Sequence, residues 1–207
     1  MTHRVLSRSV FGLLVACLAA VASAQTTQFD LSAGYQWVDI TGNKDMYRSQ
    51  VNQDDGFTLG SFSLLVVDQK TAGRWFDRLR IDASDVGAYP QSRFTVHARK
   101  ADAYDLRISY FRSKYFTALP EFANPFAAQG VVPGEHTADR LMESVDVDLS
   151  ILPQGTITPL VGYSWHRFDG PGRTTYHVGQ DEFRMSSDTT ETVEEARVGV
   201  ALHWNSS

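Results

Sequence analysis

From Leu141 to Trp165 the chain alternates apolar and polar residues with a period of two, in two runs about a short Leu152-Pro153-Gln154-Gly155 break. In the first run Leu141, Val145, Val147 and Leu149 share one phase, and Met142, Ser144, Asp146, Asp148 and Ser150 the other. In the second, Ile157, Pro159, Val161, Tyr163 and Trp165 alternate with Thr156, Thr158, Gly162, Ser164 and His166. Successive side chains of a strand point to opposite faces, so this pattern predicts a hairpin with one apolar and one polar face.

The same period recurs along the chain and predicts eight strands. Phe29 to Val38 sets Phe29, Leu31, Ala33, Tyr35 and Trp37 against Asp30, Ser32, Gly34 and Gln36. Phe57 to Val67 is apolar on both phases, which leaves its faces open. Arg74 to Ser84 alternates Trp75, Leu79, Ile81 and Ala83 with Arg78, Arg80 and Asp82. Ser92 to Lys100 alternates Phe94, Val96 and Ala98 with Arg93, Thr95, His97 and Arg99. Ala103 to Arg112 alternates Tyr104, Leu106, Ile108 and Tyr110 with Asp105, Arg107, Ser109 and Phe111. After the hairpin, Val193 to Trp204 alternates Ala196, Val198, Val200, Leu202 and Trp204 with Glu195, Arg197, Gly199, Ala201 and His203.

The connections sort by length. Asp68 to Gly73, Ala101-Asp102 and Leu152 to Gly155 are short; Asp39 to Gly56, Ser113 to Thr137 and Phe168 to Thr192 are long, and Asp85 to Gln91 is intermediate. Short turns at one end and long loops at the other are the pattern of an outer-membrane barrel. With the first strand running outward, Tyr35, Trp37, Tyr110, Tyr163 and Trp165 fall at the outer end, and Trp75, Tyr104 and Trp204 at the periplasmic end. All are on the apolar phase. Indole and phenol rings favour the headgroup level, so these residues are candidate membrane-interface girdles.

Composition narrows the class. Residues 1–24 read as a secretory signal, with Arg4 and Arg8, an apolar run Phe11 to Val21 and an Ala22-Ser23-Ala24 cleavage pattern, leaving 25–207 as one domain. That run is short of the roughly 20 residues of a spanning helix. The single cysteine, Cys17, lies within it, so the mature chain has no disulfide or thiolate metal site, and no cofactor is implied. Leu14-Val15-Ala16-Cys17 also fits a lipoprotein signal, the competing reading. Cleavage removes two of the 19 basic residues and none of the 24 acidic ones, so net charge moves from −5 to −7 and argues against nucleic acid as a partner.

Candidate chemistry lies on the polar phase. Arg78, Arg80, Arg93, Arg99, Arg107 and Arg197 face Asp30, Asp82, Asp105, Asp146, Asp148 and Glu195 as a charge network for a barrel lumen. In a closed eight-stranded barrel it would be a packed plug; in a wider one, the wall of an aqueous pore. Ser164 with His166 invites a hydrolase reading, but no nucleophile reaches the apolar surface where a membrane lipase would work, so no catalytic residue is assigned. His97 and His203 lack metal-ligand spacing. The carboxylates Asp169, Asp181, Glu182, Asp188, Glu191 and Glu194 read as a solvated loop, without the order of a calcium-binding loop. Within that loop, Tyr176 to Met185 could extend as strand. The Tyr115, Phe116, Leu119, Phe122 and Phe126 stretch, stiffened by Pro120, Pro125 and Pro133, is apolar enough to fold into a barrel mouth or bind a partner.

Signal, aromatic bands and loop asymmetry resemble the bacterial outer-membrane β-barrel class over Phe29 to Trp204. Tyr47-Arg48-Ser49-Gln50-Val51-Asn52 and Leu119-Pro120-Glu121-Phe122-Ala123-Asn124-Pro125 are similar to pieces of large porin-like barrels, including those that sheathe multihaem cytochromes. The resemblance implies an all-β, antiparallel up-and-down transmembrane barrel in the outer membrane, with membrane lipid, the barrel-assembly machinery and an extracellular or periplasmic protein as partners. Its function would be porin-like passage, or a structural or adhesive role through long loops. Barrels of this class end on an aromatic residue, whereas this chain runs on past Trp204 to Asn205-Ser206-Ser207. Either Trp204 serves near-terminally or these strands begin a longer barrel. The rival reading is a secreted soluble barrel, lipocalin-like, binding a small apolar ligand.

Overall fold

In the computed structural model, residues 26–68, 75–118, 137–179 and 181–204 are described, with 173–177 and 181–186 described as backbone alone. They form one sheet of eight antiparallel strands in chain order: β1 Thr26–Gln36, β2 Gly56–Val67, β3 Arg78–Gly87, β4 Gln91–Lys100, β5 Tyr104–Ala118, β6 Thr137–Ile151, β7 Ile157–Val178 and β8 Asp181–Leu202. A helix, α1 (Lys44–Gln50), lies between β1 and β2. The up-and-down order is the one the alternation predicts. The sheet is not closed: β1 and β8 are its two edges. The expected signal with Cys17, most of the 68–73 turn, and the apolar and proline-bearing positions from Leu119 to Pro133 lie outside the described residues.

The faces follow from the registers, because residues directly opposite in an antiparallel pair share a face. Phe29, Leu64, Ile81, Val96, Ile108, Val147, Tyr163 and Ala196 form one continuous row across all eight strands. The row on one side reads Thr27, Val66, Leu79, Ala98, Leu106, Leu149, Val161 and Val198. On the other it reads Leu31, Phe62, Ala83, Phe94, Tyr110, Val145, Trp165 and Glu194. No pairing places one strand's apolar phase against its neighbour's polar phase.

β2, whose faces the pattern left open, is resolved by a phase slip. Register shifts at Ser32/Ala33, and Gly60 has no partner in β1. Against β3, Gly60 and Asp85 are both skipped, and Asp85 takes a positive φ of 57°. An unpaired residue in a ladder reverses the phase beyond it. Leu59 therefore shares the apolar face with Phe62 although three positions separate them, and Val86 shares it with Ala83. A strict period of two fails over this stretch.

Apolar packing is densest on β2 and β3, where Leu64 and Val66 are 2% and 1% exposed and join Phe62, Leu79, Ile81, Ala83 and Ala98 in one cluster. Phe29 of the edge strand meets Phe62 edge-on at 5.6 Å. Burying side chains of this size is worth about 1.5–3 kcal/mol each. On β8 the same face is open, with Val198 87% exposed.

Three boundaries differ from the sequence expectations. β3 starts at Arg78 rather than Arg74, because Asp77 is held in a turn: its carbonyl accepts from Asp68 N at 2.9 Å and its carboxylate from Ala101 N at 2.7 Å. β5 runs on to Ala118, so Tyr115 and Phe116 are strand residues. The carboxylate-rich segment 168–192 is mostly strand: Gly170 to Val178 pairs with Asp181 to Thr189, beyond the last contact of β7 with β6 at Asp169. This two-stranded arm extends roughly 30 Å at about 3.3 Å per residue.

α1 was hidden by its brevity. Asn43 caps it, its Oδ1 accepting from Met46 N at 3.0 Å, with Asp45 in the first turn and Arg48 in the last. The segment is then laid over the β3–β4 turn: Asp54 N donates to Ala88 O at 3.0 Å, and Gln36 Nε2 to Asp54 O at 2.7 Å. Gly87 makes this crossing feasible. Its φ is +109°, and a Cβ there would overlap the Phe57 carbonyl oxygen, which accepts from Ala88 N. Gly87→Ala should therefore cost about 2–3 kcal/mol, whereas Gly179→Ala, at φ +67° in open space, should cost about 1 kcal/mol. Denaturant unfolding of the two variants checks this; equal losses would contradict the close approach at Gly87.

Candidate functional site

The expected lumen charges all share the face opposite the apolar rows. Gln28, Leu65, Arg80, His97, Arg107, Asp148, Gly162 and Arg197 form one row of that face. The next row is Asp30, Ser63, Asp82, Thr95, Ser109, Asp146, Ser164 and Glu195. A row that is mainly basic thus lies beside one whose charged members are all acidic. On the far side of the basic row stand Arg78, Arg99 and Asp105, and on the far side of the acidic row Arg93. The sequence supplies the phase of these residues; only the register supplies the layering.

Contacts run within and between the rows. Arg80 Nε donates to Asp82 Oδ2 at 2.7 Å, and Ser63 Oγ to Asp82 Oδ1 at 2.9 Å, tying β2 to β3. Asp105 holds His97 Nε2 at 3.0 Å and Arg107 Nε at 3.3 Å, tying β4 to β5. Arg197 of β8 reaches across β7 to Asp148 Oδ1 of β6 at 3.3 Å, lies 3.5 Å from Glu195, and donates to the buried Ser164 hydroxyl. The heads are wet: the Arg107 side chain is 69% exposed. Pairs so exposed contribute about 0–1 kcal/mol each, so the lattice is better suited to setting a potential than to holding the sheet together.

Gly162 makes the longest of these links. It stands between Asp148 and Arg197 in the register, and a Cβ there would come within 2.9 Å of Arg197 Nε and 3.0 Å of Asp148 Oδ1. A bare backbone at that position lets the guanidinium pass over the intervening strand. Sequence reading placed Gly162 on the polar phase but gave it no role, because its neighbours come from strands more than ten residues away.

Ser164 is engaged by Arg197, and His166 is exposed opposite Ser144, so this pair does not form a nucleophile–base arrangement. Among the described residues there is no group of three or more His, Cys, Asp or Glu side chains placed to hold a metal.

Of the aromatic candidates, Tyr163 lies in the middle apolar row instead of at the outer end expected for it, and the others separate towards the two ends of the strands. Tyr35 and Trp37 pair at 4.8 Å at the end of β1, where Trp37 is 80% exposed. Tyr163 and Trp165 lie opposite Val147 and Val145, and the Tyr110 hydroxyl donates to Glu143 Oε1 at 2.8 Å. At the other end the Tyr104 hydroxyl donates to the Trp75 carbonyl, and Trp204 follows β8, with the adjacent His203 N donating to Thr156 O at 2.9 Å. Trp37, Trp75 and Trp204 fall just outside the strands in which the pattern had included them.

Beyond Tyr110 and Trp165 the apolar face changes character. Arg112, Glu143 and Arg167 form the next row across β5 to β7, followed by Lys114, Leu141 and Asp169. The face is thus an apolar band with a charged margin on the side of α1.

Comparison with protein-family models, with curated proteins and with solved structures gives no match.

The Gly162 passage predicts a specific coupling. A double-mutant cycle on Asp148→Asn and Arg197→Gln should give a coupling of about 0.5–1 kcal/mol with Gly162 present, falling towards zero with Gly162→Val. An unchanged coupling in the valine background would show that the link does not depend on the glycine.

Proposed function

We propose that this chain forms wall of a bacterial outer-membrane β-barrel, with its apolar face in lipid and its charged face lining a porin-like aqueous passage. The observation that carries the reading is the apolar band running through all seven registers, with aromatic rings towards its ends and charged residues beyond it on the side of α1. A soluble sheet has no reason to end its apolar face in an aromatic fringe at both ends, whereas a bilayer rewards it. The exported start read at residues 1–24 agrees with this. In lipid every backbone donor must be paired, so the open edges β1 and β8 favour closure with further strands. A wider barrel leaves room for water against the charge lattice, where a closed barrel of eight would fill with side chains. The arm of β7 and β8 would then stand clear of the membrane, suited to a structural or adhesive contact.

The soluble lipocalin-like alternative draws on a different observation, the close burial of Phe62, Leu64, Val66, Leu79 and Ile81 on the apolar face. Fractionation separates the two readings. Detergent-dependent recovery with heat-modifiable mobility supports the barrel, and a detergent-free periplasmic monomer supports the lipocalin.

Val147, in the middle apolar row, should meet lipid. Val147→Arg should destabilise the folded state by roughly 2–4 kcal/mol in bilayers, with Ser109→Arg on the opposite face far milder. Equal effects at the two sites would remove the assignment of faces. In planar bilayers the protein should give stable ion-conducting steps whose selectivity shifts on Arg107→Glu; membranes that stay closed would contradict the passage.

A further inference from the structure

The sheet has two open edges, β1 and β8, and neither carries the devices that keep strand edges from pairing. β1 has no proline, no lysine and a single charged residue, Asp30, and β8 has no proline or lysine. Every residue from Thr26 to Tyr35 is exposed. The one helix among the described residues covers neither edge. Arg48 of α1 stacks 3.9 Å over the Phe116 ring and donates to Asp139 Oδ2 at 2.7 Å, which holds it at the outer ends of β5 and β6. Among the described residues, no backbone group of β1 or β8 bonds to backbone outside the ladders.

The two edges fit each other better than either fits itself. In a sheet of eight antiparallel strands β1 and β8 run in opposite directions, so β8 of one copy meets β1 of another as every neighbouring pair in the sheet meets. β1 against β1 in the same antiparallel sense would set two copies opposite ways up across a membrane. The phases agree as well. Phe29, Leu31 and Tyr35 of β1 and Val198, Val200 and Leu202 of β8 lie on the apolar face, all of them exposed. Two in-phase registers bring the start of β1 level with the end of β8. The one with Phe29 opposite Val200 and Leu31 opposite Val198 also sets Tyr35 opposite Glu194, the only charged side chain in the three apolar rows. It places Asp30 diagonally from Arg197, within reach of a long side chain. Neither Asp30 nor Glu194 pairs with another described side chain of its own copy.

We propose that two copies of this chain close one barrel, β8 of each pairing with β1 of the other. The proposal rests on the membrane reading above and names the further strands that reading calls for. Two copies supply sixteen strands, a number at which a barrel encloses an aqueous channel. The row of Arg80, His97, Arg107 and Arg197, one wall in a single chain, then becomes a ring around water. One copy closed on itself would instead press these heads into an interior filled by side chains, where burying charge is costly.

The test is oxidative cross-linking in detergent micelles, in a Cys17→Ser background, with Leu31→Cys on an affinity-tagged copy and Val198→Cys on an untagged one. Facing Cα atoms about 4.5–5.5 Å apart across an antiparallel pair lie within disulfide reach. The tagged copy should retain the untagged one as a disulfide-linked dimer, and the protein without introduced cysteines should sediment with the protein mass of two chains. Leu31→Cys with Gly199→Cys, on the opposite face, should not bridge; a Cβ at 199 comes no nearer than 3.8 Å to Leu160, so the fold accepts the change. A single chain carrying both Leu31→Cys and Val198→Cys that bridges within itself, at the mass of one chain, would overturn the second copy and leave the membrane reading standing. A mass of one chain with no bridge, a mass of three chains, or equal bridging at 198 and 199 would also overturn the proposal. A bridged dimer recovered without detergent would uphold the edge pairing and overturn the membrane reading.

Discussion

The structure depends on register. Eight strands keep their apolar side chains on one face only if every pairing falls in phase, since a slip of one residue exchanges the faces of all that follows. The seven pairings meet that condition, and the place where the chain departs from simple alternation is corrected at once. Gly60 and Asp85 are passed over together, so β2 and β3 change phase in step and the band continues. A sheet with one such defect uncorrected would bury charge on one side of the break and expose apolar surface on the other.

From that constraint the charge lattice follows. Once the apolar rows are aligned, the intervening residues align as well, and Arg80, His97, Arg107 and Arg197 come into one row beside Asp30, Asp82, Asp146 and Glu195. Opposite charges on neighbouring rows neutralise one another at short range while leaving the heads open to solvent. On the other face, alignment puts the same transition from apolar to charged side chains on β5, β6 and β7, and α1 is docked at that boundary through Arg48. A single arrangement of hydrogen-bonded ladders thus sets the band, the lattice and the margin on which the helix rests.

Much of this was legible in the sequence. The phases of β1 and β4 to β8, the Leu152–Gly155 turn and the shared face of the charged residues all follow from a period of two. The turn is closed by Gly155 N donating to Leu152 O at 2.9 Å, with Leu152 at φ 52°. β2 was not legible, because its bulge erases the period locally. Nor was α1, whose seven residues are too few to show a helical stripe, although Asn43 followed by Asp45 and later Arg48 is a capped and charge-complemented turn. Of the outer arm, Tyr176 to Met185 was legible as strand; the rest escaped because Gly170, Pro171, Gly172 and the carboxylates of β8 suggest loop, whereas backbone pairing between the two strands holds them extended. The Asp148–Gly162–Arg197 link needs three strands in register and leaves no local trace. Among the aromatic residues, Tyr163 lies in the middle row and not at an end, because the alternation gives a phase but not a height, and three tryptophans lie just past the ladders.

The claim that one face meets lipid and the other water is tested most directly by spin labels at successive positions along β6. Cys17 is the single cysteine of the chain, so in a Cys17→Ser background single cysteines can be introduced from Ser144 to Ile151 without interference. In liposomes, collision with dissolved oxygen should peak at 145, 147 and 149, and collision with a water-soluble nickel chelate at 144, 146 and 148, two opposed profiles of period two. Profiles that rise and fall together, or peaks at the reversed positions, would contradict the account.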